Sequence, residues 1–173
     1  MEAPQFPGGE FSPKSQHSGL ERAKLIAQIA AAPAELRAAV AGLTDAKLDT
    51  RYRNWTIRQI VHHIADSHVN CYVRCKWALT EDSPVIKAYF EERWVALEDS
   101  LHGDVKIPLA FLDALHARWV QLFRALTPQQ FGQSFLNPER DVRTLDWVLS
   151  YYTWHGRHHT AQILWLREQN RWG

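Results

Sequence analysis

Thr56-Ile-Arg-Gln-Ile-Val-His-His-Ile-Ala-Asp-Ser-His-Val-Asn-Cys-Tyr-Val-Arg-Cys75 decides the fold class of this chain. Thr56 and Gln59 make a capping box, in which a hydroxyl and an amide each satisfy a backbone N–H left unpaired at a helix start. Behind them Ile57, Ile60, Val61, Ile64, His68, Cys71 and Cys75 recur at three- and four-residue spacing. That is the apolar stripe of an amphipathic helix, and it runs to about Leu79.

Upstream lies a polar connector over 44–55, and before it a second helical pattern from Leu20 to Leu43. Leu25, Ile26, Ile29, Leu36 and Val40 carry its stripe, and Pro33 predicts a kink or break within it. Residues 1–17 are rich in Pro, Gly and Ser and read as an extended arm. Downstream, 80–105 is irregular, with Pro84, Gly103 and a short helix expected near 91–98. A third helix follows Pro108, a residue suited to a first turn, with Leu109, Leu112, Leu115, Trp119, Leu122 and Phe123 on one side. Thr127-Pro-Gln-Gln130 opens a short turn, and a last helix runs from near Thr144 to about Glu168. There is no internal repeat and no convincing series of strands. Four long helices in 173 residues predict one all-α domain, a four-helix bundle spanning 1–173.

Composition narrows the functional classes. The formal net charge is +1, with no basic stripe, which argues against nucleic acid as a partner. No apolar run approaches the ~20 residues that cross a bilayer, and the N-terminus lacks the pattern of a secretory signal, so no membrane role is expected. Cys71 and Cys75 lie one turn apart on a helix, poorly placed for a disulfide, and read as small buried hydrophobes. A cytoplasmic setting fits these features.

The chemistry concentrates in Trp154-His-Gly-Arg-His-His159, inside an aromatic segment where imidazole nitrogens need partners. At about 100° per residue, His155 and His159 lie about 40° apart on the core-facing side. Val148, Tyr151, Tyr152, Gln162 and Leu166 share that side, whereas His158 is turned toward its border. Two imidazoles one turn apart on a buried face point to metal coordination. The first helix supplies more candidates. Periodicity puts His68 at the centre of its stripe, while His63 shares a side with Ser67 and Asn70, so spacing leaves the choice open. Three neutral imidazoles suit Zn²⁺ or Ni²⁺ and leave a position for water or substrate. Gly156 stands where zinc peptidases with His-x-x-x-His carry their glutamate base, which excludes that reaction. Asp66, one turn from His62 and His63, reads as a solvated charge or an outer partner of a ligand.

Three pieces together, Gln5-Phe-Pro-Gly-Gly-Glu-Phe11, the block from Gly42 to Tyr89 and Trp154–Ile163, resemble the DinB-like superfamily, in its YfiT-like branch of metal-dependent hydrolases. The resemblance implies a four-helix bundle and a metal held by His63, His155 and His159, with His62, His68 and His158 in supporting or surface positions. It also implies a cytoplasmic homodimer, zinc as the ion with nickel able to replace it, and a small-molecule substrate. Where that family places a glycine pair before the Trp-Thr motif, this chain has Arg53-Asn54, so the loop into the ligand helix is expected to be shorter. The activity expected first is hydrolysis. The alternatives are S-transfer from a low-molecular-weight thiol activated by the same ion, and a non-enzymatic, metal-stabilised stress-response dimer.

Overall fold

The computed structural model describes residues 2–172. Its long helices are α1 (Gly19–Val40), α3 (Ile57–Thr80), α6 (Lys106–Ala125) and α7 (Leu145–Gln169). Shorter elements join them: α2 (Asp45–Leu48), β1 (Arg51–Tyr52), β2 (Trp55–Thr56), α4 (Glu91–Trp94), α5 (Glu98–His102), β3 (Ser134–Asn137) and β4 (Asp141–Thr144). The long helices form the expected four-helix bundle. α1 packs against α6 and α7, and so does α3, which sets α1 opposite α3 and α6 opposite α7. Helices consecutive in sequence therefore sit across diagonals as well as side by side.

The capping box at Thr56 is fully made: Gln59 N–H donates to the Thr56 hydroxyl at 3.1 Å, and Thr56 N–H donates to Gln59 Oε1 at 2.9 Å. The stripe behind it is buried throughout, with Ile57, Val61, His68, Cys71 and Cys75 at 0% exposure. Both cysteines are free thiols. α1 runs unbroken through Pro33, so of the kink or break expected there the break does not occur. Proline inside a helix costs ~3 kcal/mol, and here packing against α6 and α7 holds the helix together.

Strands are the second correction. β1 and β2 form one antiparallel hairpin, β3 and β4 another, and residues 84–86 join β3 through a parallel bridge at Val85. Such short strands give no readable alternation in sequence. Their placement is regular, however. β2 ends on Thr56, the N-cap of α3, and β4 ends on Thr144, the N-cap of α7. Each helix that carries candidate ligands is thus launched from a hairpin. Arg53 takes a φ of 52° at the β1–β2 turn, a left-handed conformation that glycine adopts without strain. That is a physical reason for glycine at this turn, and here Arg53 Nη1 offsets the strain by donating to the Ala3 carbonyl at 3.0 Å.

The apolar core comes in two clusters. One holds Leu36, Ile60, Ile64, Leu112 and Ile163; the other holds Ile29, Cys71, Trp119, Phe123 and Leu149. On every long helix they are separated by a polar or helix-breaking segment: Pro33 on α1, Ser67 and His68 on α3, His116 on α6, and His155 to His159 on α7. A layer of histidines cuts across the middle of the bundle.

Candidate metal centre

α3 brings His63, and α7 brings His155 and His159, to one point in that layer, where one ring nitrogen from each lies within 4.8 Å of the others. All three rings are buried. His63 Nε2 and His155 Nε2 are 3.3 Å apart. Two nitrogens bound tetrahedrally to an ion at ~2.0–2.1 Å are separated by ~3.3–3.4 Å, so this spacing is that of one edge of a coordination tetrahedron. His63 Nδ1 has no hydrogen-bond partner among the described residues.

The remaining nitrogens of the two α7 histidines are already engaged. His159 Nδ1 lies 2.8 Å from Gln162 Oε1, and a side-chain carbonyl can only accept, so Nδ1 carries the proton and Nε2 is left bare. His155 Nδ1 lies 3.2 Å from His68 Nε2. Gln162 also reaches His158 Nε2, at 3.0 Å. Outer contacts of this kind fix the ring orientation of metal-binding histidines.

Burial keeps these imidazoles neutral. It pushes His63, His68 and His155 well below the ordinary histidine value, with neighbouring histidines acting in the same direction. His159 falls to about 4, again mainly through burial, partly opposed by its bond to Gln162. Neutral imidazole is the form that binds metal, and these rings hold it well below neutral pH.

The cluster opens into a cavity of ≈ 270 Å³ whose lining includes Ser67, Arg74, Tyr89, Glu91 and Tyr151. Arg74 is held in place by a 2.9 Å bond from Nη2 to the Lys87 carbonyl. Burial pushes the Tyr89 hydroxyl up to about 12, so it stays protonated and able to donate. Trp55, just past the hairpin turn, covers His63 with ring centroids 4.5 Å apart and stacks on His159. Its Nε1 donates to Glu92 Oε2 at 3.0 Å, tying this cover to α4. The N-terminal arm closes another side. Phe11 packs against Trp147, Tyr151 and Trp154, and Phe6 against His158.

Other residues raised by the sequence fall into place. His68, favoured by periodicity, is the more deeply buried residue but stands behind His155 instead of at the cluster. Helical phase reports depth in the core, and depth is not the same as convergence on a point. His158 stacks on Trp154 at 4.8 Å between centroids. His62 packs beside Gly103, outside the cluster. Asp66 is half-buried and makes no hydrogen bond to a candidate ligand among the described residues, and burial with the nearby Asp99 charge raises its carboxyl to about 6. A side chain at position 156 would meet His68 and Ala32, so an acid there would face α1 and not the cavity. His116, which sequence reasoning passed over, contacts His68 at 2.8 Å. It lies three residues before Trp119 and four after Leu112, so its helical phase was available as a signal.

Residues 28–163 match the family model of the DinB superfamily. YfiT of Bacillus subtilis is 44% identical over 170 residues, covering 96% of both chains. A Bacillus mycoides relative is 46% identical over 151 residues, 86% of this chain and 87% of its own; one from Geobacillus thermodenitrificans is 41% identical over 172 residues, 97% and 96%. The solved YfiT structure is described as that of a probable metal-dependent hydrolase with an unusual four-helix bundle topology. It superposes with a TM-score of 0.94, over 97% of this chain and 98% of that one, at 43% identity.

Proposed function

The chain belongs to the DinB superfamily, and from that premise we propose that it is a metal-dependent hydrolase acting on a small molecule in the ≈ 270 Å³ cavity. His63, His155 and His159 hold the ion, zinc by preference with nickel accepted. The observation that carries this reading is the 3.3 Å approach of His63 Nε2 and His155 Nε2 inside a buried three-histidine cluster. When bound, such an ion supplies Lewis acidity, acidifying a coordinated water or thiol and polarising a substrate oxygen.

The protein supplies the rest. An ion held by these three residues would have protein ligands at three positions only, and all three line the cavity. Gln162 holds the Nδ1 proton of His159, so that ring keeps its Nε2 turned inward. Tyr89, protonated at neutral pH, presents a hydroxyl donor to bound substrate, and Trp55 limits the entry of bulk water.

The test is a screen of metal-free and zinc-loaded protein against esters, amides and electrophiles, each with and without small thiols. The expected result is hydrolysis that needs the metal and no thiol. Consumption of electrophiles only when thiol is present would replace hydrolysis with S-transfer. Inactivity throughout, with metal bound, would favour a metal-stabilised binding protein.

A further inference from the structure

The contacts behind His155 continue through the histidine layer to the backbone of α1. Ile29 lies four residues before Pro33, and proline has no N–H, so the usual helical donor to the Ile29 carbonyl is missing. His116 Nδ1 takes that place, 2.7 Å from Ile29 O. A carbonyl oxygen only accepts, so Nδ1 of His116 carries a proton, and a neutral imidazole has no second one to give. Its Nε2 is therefore an acceptor, and it meets His68 Nδ1 at 2.8 Å. By the same rule His68 is protonated at Nδ1 and bare at Nε2, which accepts from His155 Nδ1 at 3.2 Å. His155 is then bare at Nε2, the atom that faces His63. The rings are buried, with His116 at 2% exposure and His68 at 0%, and taking an imidazole out of water disfavours its cationic form.

We propose that Pro33, His116 and His68 act as positioning residues: a carbonyl freed by a proline in α1 dictates, through two buried imidazoles, that His155 presents an unprotonated Nε2 to the metal position. The relay deepens the proposed metal site and rests on His155 being a ligand. It also gives Pro33 a purpose, since an ordinary residue there would offer its own N–H to Ile29 and compete with His116.

The test reads tautomers directly, by long-range ¹H–¹⁵N correlation in metal-free, ¹⁵N-labelled full-length protein. Wild-type protein should show His116, His68 and His155 each protonated at Nδ1 and bare at Nε2. A proton on Nε2 of His68 or His155 overturns the relay, whatever the metal affinity. In His116→Phe the Nδ1 proton of His68 loses its acceptor, so His68 and His155 should shift toward the Nε2-protonated form and zinc affinity should fall ~10–100-fold. A merely structural ring would cost stability but leave the His155 tautomer unchanged, and that result also overturns the proposal. In Pro33→Ala the His116 Nδ1 proton should move upfield as its bond to Ile29 weakens; an unmoved resonance removes Pro33 from the relay. Absence of zinc binding by wild-type protein with all three tautomers as stated would remove the metal reading and leave the relay intact.

Discussion

Gln162 offers a sharp perturbation, because it touches no ion and yet holds two histidines of the layer. Its Oε1 accepts from His159 Nδ1 at 2.8 Å and its amide nitrogen donates to His158 Nε2 at 3.0 Å. Gln162→Leu keeps the bulk and removes both bonds. The Nδ1 proton of His159 is then buried without an acceptor, which costs about 1–3 kcal/mol when the ring is held in its ligating orientation. Loss of outer contacts to metal-binding histidines weakens binding ~10–100-fold, or about 1.4–2.7 kcal/mol, so the two routes to a magnitude agree. Gln162→Glu separates the roles. It retains an acceptor for His159, now charge-assisted and stronger, while giving up the donor to His158. Zinc dissociation constants measured by competition with a chromophoric chelator should therefore rise in Gln162→Leu and stay level or fall in Gln162→Glu. A folded Gln162→Leu protein with wild-type zinc affinity would show that Gln162 does not orient a metal-binding ring.

Asp146 tests the anchoring of α7. Arg22 grips its carboxylate through two bonds, of 2.8 and 2.6 Å, and His17 N–H adds a third at 3.2 Å, with Asp146 almost wholly buried. Asp146→Ala strands the guanidinium and should cost about 3–5 kcal/mol in denaturant unfolding; a loss typical of exposed pairs would show the bridge to be incidental. The metal-free protein should also be acid-sensitive. His159 sits at about 4 when folded, against 6.5 as the ordinary value, so the unfolded chain takes up its proton first. The stability is complete above pH ~6.5 and drains away as pH falls toward ~4, by about 3 kcal/mol from this residue, and His63, His68 and His155 act in the same direction. Urea midpoints that stay flat across that window would contradict the burial of neutral rings.

The fold was legible wherever one local rule governed a long segment. The capping box at Thr56 and the stripe from Ile57 to Cys75 specify α3 without tertiary help, and the core face of α7 followed from the phase of His155 and His159. Elements that depend on partners were not legible. The β1–β2 and β3–β4 hairpins are too short to alternate visibly, and α1 survives Pro33 only because other helices pack on it. The third candidate ligand shows the same limit. Phase ranked His68 above His63 because it measures depth in one helix, whereas the site depends on where two helices converge; the family resemblance, not the spacing, pointed to His63. His116 stayed hidden because its partners, Ile29 and His68, lie 87 and 48 residues away.

Whether His63, His155 and His159 hold an ion is decided by the metal content of the purified protein and of single-histidine variants. Wild-type chain should carry about one divalent ion at a three-histidine site. His63→Ala, His155→Ala and His159→Ala should each lose it, while His62→Ala keeps it. Full metal occupancy in any of the three ligand variants, or loss of metal in the His62 variant alone, would rule out a site built from His63, His155 and His159.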